Sequence, residues 1–286
     1  MKIVKTLEEL RTARTHLNAP VGLVPTMGFL HAGHLSLVQC ARQDCASVVV
    51  SIYVNPTQFG PNEDFAAYPR DVDRDLDLLR DAGVNLVWVP TEEVMYPHGY
   101  QTFVTVEEIT QVLEGAMRPT HFRGVTTIVA KLFNAVQPDK AFFGQKDAQQ
   151  VAVLQQMVRD LNFNLEMVVC PIVREKDGLA LSSRNIYLDV DQRKAALVLS
   201  RSLRKARELF AAGERDAIKI HQAMDAVFAD EPLARSQYIS LVDPKTLLDI
   251  EKIETEALVS MAVYMGKTRL IDNTILGKPD LTLDQP

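Results

Sequence analysis

The chain has 286 residues, of which 47% are hydrophobic and 24% are charged, a composition typical of a folded globular protein and not of a disordered or collagen-like chain. Its 31 Lys and Arg residues against 37 Asp and Glu residues give a net charge of −6, which argues against a general nucleic-acid binder, because such proteins usually present a basic surface. At roughly 150 residues per domain, the length favours about two domains.

Cysteine content and apolar runs bear on where the protein resides. Cys40, Cys45 and Cys170 are odd in number and include no Cys-x-x-Cys pair, so they fit neither a disulfide framework nor a zinc site. We expect them to be small buried residues in a reducing compartment. The N-terminus lacks an apolar run of signal-peptide length, and no segment approaches the ~20 apolar residues of a membrane helix. The sequence therefore predicts a cytoplasmic protein with no membrane partner.

Short apolar strands alternate with amphipathic helices over the first 174 residues. Runs rich in Val and Ile predict buried parallel strands at Val21–Pro25, Ser47–Val54, Asn85–Pro90, Ala141–Gly144 and Met167–Val173. Apolar residues at helical spacing predict helices at Leu35–Ala46, Asp71–Ala82, Val125–Val136 and Ala148–Leu161. The alternation predicts an α/β fold, a Rossmann-like parallel sheet with helices on both faces.

The pattern changes after Arg174. Two helices, Asp191–Ala212 and Asp216–Phe228, precede three strands at Gln237–Val242, Ala257–Tyr264 and Thr268–Asp272. We therefore predict a Rossmann-like domain for nucleotide and substrate over residues 1–175, and a smaller C-terminal α+β lid domain over residues 176–286. The polar tail from Gly277 on, which holds two prolines, is expected to be loose.

A turn rich in glycine and histidine follows the first predicted strand. Thr26-Met27-Gly28 leads to His31-Ala32-Gly33-His34 and then to an apolar helix. Ligands of open parallel sheets bind beyond the carboxyl ends of the strands, and a helix N-terminus attracts phosphate. The two imidazoles can then donate hydrogen bonds to phosphate oxygens. A tight turn with two surface histidines explains the residues about as well, and zinc binding is a weaker alternative because no third ligand is near in sequence.

Amide side chains follow the second predicted strand. Asn55 and Gln58 can each donate and accept hydrogen bonds, which suits a substrate with hydroxyl and carboxylate groups. A simple Asn-Pro turn is the alternative. The segment Glu114–Gly124, which contains Arg and His, fits a solvated loop or a cover over the site.

Charged residues follow the fourth predicted strand, and a further polar segment runs from Val173 to Asn185. Lys146 can meet a phosphate at a helix N-terminus, whereas Asp147 either caps that helix or acts through a bound metal ion. Gln150 lies one turn further on. Ser182, Ser183 and Arg184 suit a polyphosphate or form a solvated loop.

These segments are expected to converge at one edge of the sheet, because three of them follow parallel strands. Together they supply chemistry for a nucleoside triphosphate and a small polar acid. The sequence contains no GxxxxGK[ST] motif, which excludes a P-loop enzyme, and no GxSxG or Cys–His nucleophile signature.

In order and spacing, six motifs closely resemble the pantothenate synthetase family over nearly the whole chain. They are Pro25–Gly28, His31–His34, Val54–Phe59, His121–Gly124, Phe143–Asp147 and Leu181–Asn185. The HxGH element is also similar to that of nucleotidylyltransferases and class I aminoacyl-tRNA synthetases. The resemblance implies a ligase of pantothenate and coenzyme A biosynthesis. Pantoate and ATP would form pantoyl adenylate and pyrophosphate, and β-alanine would then displace AMP to give pantothenate.

The resemblance also implies residue roles. His34 would be the proton donor, with His31 and Lys146 on the phosphates. The ATP-binding set would be Met27, Gly28, Phe29, Leu30, His31, Ala32, Gly33, His34, Gly144, Gln145, Lys146, Asp147, Val173, Leu181, Ser182, Ser183 and Arg184. Pantoate and β-alanine would contact Gln58 and Gln150, with Asn55, Tyr68 and Arg118 lining or covering the cleft. Mg²⁺ would ride on the ATP phosphates with few protein ligands.

Two positions depart from the family pattern. Many relatives have Glu where Gln145 stands and Asp where Ala32 stands, so we expect altered ATP affinity. The family further implies a homodimer joined through the first domain. Two alternatives stay open, namely a nucleotidylyltransferase of the same fold that acts on another small acid, and a regulatory nucleotide-binding module without catalysis.

Overall fold

The computed structural model describes residues 1–61, 63, 65–279 and 282–284. The chain forms two compact units. Unit 1 comprises Met1–Gly144 and Val153–Cys170, and unit 2 comprises Gln145–Ala152 and the described residues from Pro171 on. The domain division at residue 175 stays a prediction, as do the homodimer and the cytoplasmic location. Within the described ranges, no helix is both long and apolar enough to cross a membrane.

Unit 1 is built on a six-stranded parallel sheet. Its strands are β1 (Lys2–Val4), β2 (Val21–Thr26), β3 (Ser47–Ile52), β4 (Leu86–Trp88), β5 (Lys140–Gly144) and β6 (Glu166–Cys170), in the spatial order β1-β4-β3-β2-β5-β6. Every residue of β3 is buried, as expected of a central parallel strand. From β2 the chain runs to β3 and β4 on one side and later to β5 on the other, so the strand order reverses beside β2. Ligands of open α/β sheets bind at such a point.

Helices cover both faces of this sheet. The helices that begin before residue 150 are α1 (Leu7–Arg14), α2 (Ala32–Asp44), α3 (Val72–Asp81), α4 (Glu92–Met95), α5 (Leu113–Met117), α6 (His121–Val136) and α7 (Ala148–Asp160). Phe142 of β5 belongs to the apolar cluster that includes α2, whereas the ring of Phe143 lies 6.4 Å from that of Phe133 in α6. Adjacent strand residues point to opposite faces, so α2 and α6 lie on opposite sides. The predicted Rossmann-like architecture is confirmed.

Unit 2 contains a smaller antiparallel sheet together with several helices. Its remaining elements are β7 (Ile172–Arg174), α8 (Val190–Ala195), α9 (Leu197–Ala211), α10 (Ala217–Ala229), β8 (Ala234–Val242), β9 (Ala257–Met265), β10 (Thr268–Leu276) and β11 (Thr282–Asp284). The sheet order is β10-β9-β8. Helix residues such as Leu199 and Ile220 share one buried cluster with Val259 and Met261 of β9. The predicted smaller α+β part is confirmed.

Several sequence-based boundaries differ from the structure, most of them by one to four residues, and three larger differences stand out. The predicted strand Met167–Val173 is two strands, because Pro171 lacks the amide hydrogen that a continuous ladder needs; β6 pairs with β5, and β7 pairs with β11. The predicted helix Asp191–Ala212 is divided between α8 and α9. The tail is not wholly loose, since Thr282–Asp284 pairs in parallel with β7; its residues 280, 281, 285 and 286 lie outside the described residues.

Candidate active site

The turn between β2 and α2 is held by a buried acid. The carboxylate of Asp75 in α3 is 1% exposed and accepts hydrogen bonds from the main-chain amides of Phe29 and Leu30, both at 2.7 Å. Burial raises the pKa of Asp75, and the two amide hydrogen bonds oppose that rise. Gly28 has φ +81°, and a Cβ there would lie 3.0 Å from Asp75 Oδ2, so this turn requires glycine. Asp75 thereby sets the path of the chain into the histidine motif.

Two histidines form the start of α2. The Nδ1 atom of His31 accepts a hydrogen bond from Gly33 N at 3.1 Å, and Nδ1 of His34 accepts one from His31 N at 3.3 Å. The ring centroids lie 4.1 Å apart. An Nδ1 atom that accepts an amide hydrogen leaves the proton of the neutral ring on Nε2. Both rings therefore carry an Nε2–H donor at the N-terminus of a 13-residue helix, which suits an anionic group such as phosphate.

The role of Asp75 can be tested with Asp75→Asn. An amide has one acceptor oxygen, so one of the two bound main-chain amides loses its partner and faces an NH₂ group. We expect the free energy of unfolding to fall by about 1–3 kcal/mol, measured by urea denaturation. Asp73→Asn, on the exposed side of α3, is the matched control. An equal change in both variants would show that Asp75 does not hold the turn.

A buried amide organises the residues after β3. Asn55 is 1% exposed. Its Oδ1 accepts from Tyr96 OH at 2.8 Å and from Thr57 Oγ1 at 3.0 Å, and its Nδ2 donates to Gln58 Oε1 and Gly124 O, both at 3.1 Å. All hydrogen-bonding positions of this amide are thus used. Asn55 therefore orients Gln58, and its direct contact with substrate stays a prediction.

The side chain of Gln58 has a defined orientation. Because its Oε1 accepts from Asn55, its Nε2 carries the hydrogens, and this Nε2 lies 3.2 Å from Met27 Sδ. A thioether sulfur is only a weak acceptor. The contact brings together two predicted site residues. A stronger acceptor, such as an oxygen atom, could replace the sulfur as the partner of the Gln58 amide hydrogens.

The main chain at Gln58 is held by a charged cluster. Gln58 O accepts from His121 Nδ1 at 2.9 Å and from Arg118 Nη2 at 3.3 Å, while Arg118 makes two 2.6 Å bonds to the carboxylate of Glu63. Burial and the charge of Arg118 lower the pKa of His121 to about 4. Burial acts to raise the pKa of Glu63, but Arg118 outweighs it and holds that pKa below its usual value. In the structure Arg118 thus supports Gln58, and its predicted contact with substrate stays a prediction.

The predicted site residues of unit 2 form two segments. Gln145–Asp147 is a single 3-10 turn before α7, with Lys146 partly exposed and Asp147 exposed. In the other segment, Leu181 N donates to Val173 O at 3.0 Å, which brings two predicted ATP contacts together. Ser182 Oγ accepts from Arg184 N at 3.2 Å and so shapes the Ser-Ser-Arg loop.

Two other predicted site residues are Gln150 and Tyr68. Gln150 lies in the first turn of α7 and is partly exposed. Tyr68 is buried, with its ring 5.8 Å from that of Phe59. The gathering of all predicted contacts into one crevice stays a prediction.

Several residues that shape the site were missed by the sequence analysis. They are Asp75, Tyr96, Asp272 and Asn273. Asp75 lies four residues before Leu79 on the buried side of α3, and Asp272 and Asn273 interrupt an apolar strand. A charged or amide residue at a position that the pattern assigns to the core is therefore the signal that could have found three of them.

A metal site in a protein usually draws on several acidic, histidine or cysteine side chains. Across the part of the chain that the structure describes, no group of three or more such side chains is placed to hold a metal ion.

Comparisons with known proteins agree with the motifs. The family model of pantoate-beta-alanine ligase matches residues 2–275. The pantothenate synthetase of Chloroflexus aurantiacus is 58% identical over 277 residues, which are 96% of this chain and 98% of that protein. This similarity confirms the resemblance drawn from the sequence.

Solved structures give the same result. The crystal structure of pantothenate synthetase from Thermus thermophilus has a TM-score of 0.92 at 48% identity, and the match covers 96% of this chain and 99% of that one. Pantoate-beta-alanine ligase from Francisella tularensis, complexed with beta-gamma ATP and beta-alanine, has a TM-score of 0.80 at 33% identity, with 98% and 99% covered. The chain therefore belongs to the pantoate-beta-alanine ligase family and is a ligase.

Proposed function

We propose that this chain joins pantoate to β-alanine at the expense of ATP, with pantoyl adenylate as the intermediate. The observation that carries the proposal is the pair of Nε2–H donors on His31 and His34 next to a turn whose Met27 contacts the oriented amide of Gln58. Donors for phosphate and a donor for a carboxylic acid thus occur within one part of unit 1. A phosphate-binding site alone needs no oriented amide of this kind.

The first step places a carboxylate against a phosphate. A carboxylate oxygen of pantoate attacks the α-phosphorus of ATP, the bond to the β-phosphate breaks, and pyrophosphate leaves. The Nε2–H groups of His31 and His34 donate hydrogen bonds that stabilise charge developing on phosphate oxygens. In the role of proton donor, His34 shares its Nε2 hydrogen with the phosphate through such a bond, and no net proton transfer is needed because the carboxylate attacks and pyrophosphate leaves as anions. Fixed donors act well here because they need no reorganisation during the reaction.

Cationic and hydroxyl groups are the further contacts proposed for the phosphates of the nucleotide. Lys146 neutralises phosphate charge, and Ser182, Ser183 and Arg184 donate further hydrogen bonds. The exposed carboxylate of Asp147 is an oxygen ligand of the kind that Mg²⁺ prefers, so these residues fit a metal ion held mainly by ATP phosphates. When bound, Mg²⁺ would neutralise phosphate charge.

The second step forms the amide bond. β-Alanine first loses its ammonium proton to solvent, and the neutral amine nitrogen then attacks the acyl carbon of pantoyl adenylate. The bond to the AMP oxygen breaks, AMP leaves, and a second proton passes from the nitrogen to solvent to give the neutral amide. Adenylation is needed because a free carboxylate is a poor electrophile, whereas AMP is a good leaving group. Gln58 holds the pantoyl group during both steps.

Release of pyrophosphate with and without β-alanine tests the proposal. With ATP and pantoate alone, we expect one equivalent of pyrophosphate per site, followed by continuous release of AMP and pantothenate once β-alanine is added. Pyrophosphate release without any amide product would favour the nucleotidylyltransferase alternative. ATP binding without any turnover would favour the regulatory module.

Gln58→Ala tests the binding of the acid. Because the amide of Gln58 is the oriented donor for pantoate, its loss should raise the dissociation constant of pantoate about tenfold, with ATP binding changed by less than about twofold. Isothermal titration with each ligand measures both values. Gln111→Ala, an exposed glutamine on the same unit, is the control. An unchanged pantoate dissociation constant would contradict the role of Gln58.

A further inference from the structure

A buried asparagine on β10 binds the turn that carries Lys146. Asn273 is 2% exposed. Its Nδ2 donates to Gln145 O at 3.0 Å and to Lys146 O at 2.8 Å, and its Oδ1 accepts from Gln145 Nε2 at 3.0 Å. The amide of Asn273 thus uses both of its hydrogens and its oxygen to bind Gln145 and Lys146. These two residues lie well over one hundred positions earlier in the chain.

The neighbouring residue binds a second segment of unit 2. Asp272 is 1% exposed, and its carboxylate accepts two hydrogen bonds from Arg174, at 2.7 and 3.0 Å. Asp272 Oδ1 also accepts from Asn273 N at 2.8 Å. Arg174 directly follows Val173, a predicted ATP contact. Two consecutive residues of β10 therefore bind two segments with predicted ATP contacts: Asn273 binds the turn at Lys146, and Asp272 binds the residue after Val173.

Polar residues at this position are costly unless they are fully bonded. Burying an amide or a carboxylate without partners costs several times the free energy that a single hydrogen bond contributes. Two apolar residues would fill the core of a small sheet at a lower cost in free energy. Asp272 and Asn273 therefore supply what two apolar residues cannot, namely a fixed main chain at Gln145 and Lys146.

We infer that Asn273 is a positioning residue for Lys146, a conclusion that rests on the proposed role of Lys146 in binding ATP phosphates. Lysine has a flexible four-carbon stem, so its ammonium group reaches a phosphate reliably only when its Cα is fixed. Asn273 fixes this Cα through the carbonyl groups of the two peptide units that flank it. The inference also accounts for glutamine at position 145, because a glutamate carboxylate cannot donate to Asn273 Oδ1.

The kinetics of single variants give the first test. We expect Asn273→Ala to lower kcat/KM for ATP about tenfold, with KM for pantoate changed by less than about twofold. Gln145→Ala removes one of the three hydrogen bonds and should lower kcat/KM for ATP about threefold. Thr274→Ala, which removes a bond from the same strand to Arg207, is the matched control. It should lower the Tm with kcat/KM for ATP changed by less than about twofold.

Coupling to Lys146 gives the decisive test. If Asn273 acts through Lys146, Asn273→Ala should change kcat/KM for ATP by less than about twofold in a Lys146→Met background. A tenfold loss in both backgrounds would overturn the inference, whereas an unaffected Lys146→Met enzyme would instead overturn the proposed role of Lys146. Should Asn273→Ala fail to fold, Gln145→Ala is compared in the same two backgrounds. An unchanged kcat/KM for ATP in Gln145→Ala, with Lys146 present, overturns the inference.

Discussion

Replacing His34 by Asn should lower the rate of pantoyl adenylate formation about a thousandfold, within the range measured for loss of a proton donor or of one oxyanion-binding group. The Oδ1 atom of Asn lies close to the position of Nδ1, so it can still accept the hydrogen bond from His31 N that begins α2. The variant lacks any group at the position of Nε2. Single-turnover release of pyrophosphate, with ATP and pantoate in excess, measures the effect.

Two further variants make this result specific. His34→Gln places an amide nitrogen near the position of Nε2 and should recover part of the lost rate, to within about a hundredfold of the unaltered enzyme. His98→Ala removes an exposed histidine and should leave the rate unchanged. An Asn variant with the rate of the unaltered enzyme would remove His34 from the chemistry.

Lys146→Met should lower kcat/KM for ATP about a hundredfold or more, because a charge-assisted bond to phosphate is lost from a site where charge neutralisation supplies most of the rate. Methionine keeps the apolar stem. The main chain of the turn is held by Asn273, which bonds to the carbonyl oxygen of residue 146 and not to its side chain, so the fold should persist. Initial rates over a range of ATP concentrations measure the effect.

The position of the charge is tested separately from its presence. Lys146→Arg keeps the charge in a larger, planar group and should recover kcat/KM only in part. Lys205→Met, an exposed residue of α9, should behave as the unaltered enzyme. If Lys205→Met lowers kcat/KM for ATP as much as Lys146→Met does, the effect reflects net charge and not a phosphate contact.

Apolar patterning predicted the sheet well because its central strands are buried on both faces. The runs beginning at Val21 and Ser47 are continuous stretches of core residues, and the helices between them show clear apolar stripes. β1 was missed because Lys2–Val4 is only three residues long, too short for a periodic signal. The turns near the site could also be predicted from the sequence. Each buried apolar strand ends where polar residues begin, so the polar residues mark the turn that follows the strand.

The supporting residues of the site could not be predicted because distant parts of the chain create their roles. Asp75 bonds to a turn 45 positions away, Tyr96 to an amide 41 positions away, and Asn273 to a turn 128 positions away. No local pattern records such a partner. The family resemblance named the residues expected to contact substrate, whereas the structure shows what holds several of them in place.

The sulfur of Met27 has a consequence for how the acid enters. A hydrogen bond to a thioether keeps the amide of Gln58 oriented before substrate arrives, yet it is weak enough for an incoming carboxylate to displace it at small cost. Oxidation to the sulfoxide would turn that weak partner into a strong one. The Gln58 amide would then stay bonded to Met27, so oxidation of this one methionine would weaken the proposed binding of the acid while His31, His34 and Lys146 stay unmodified.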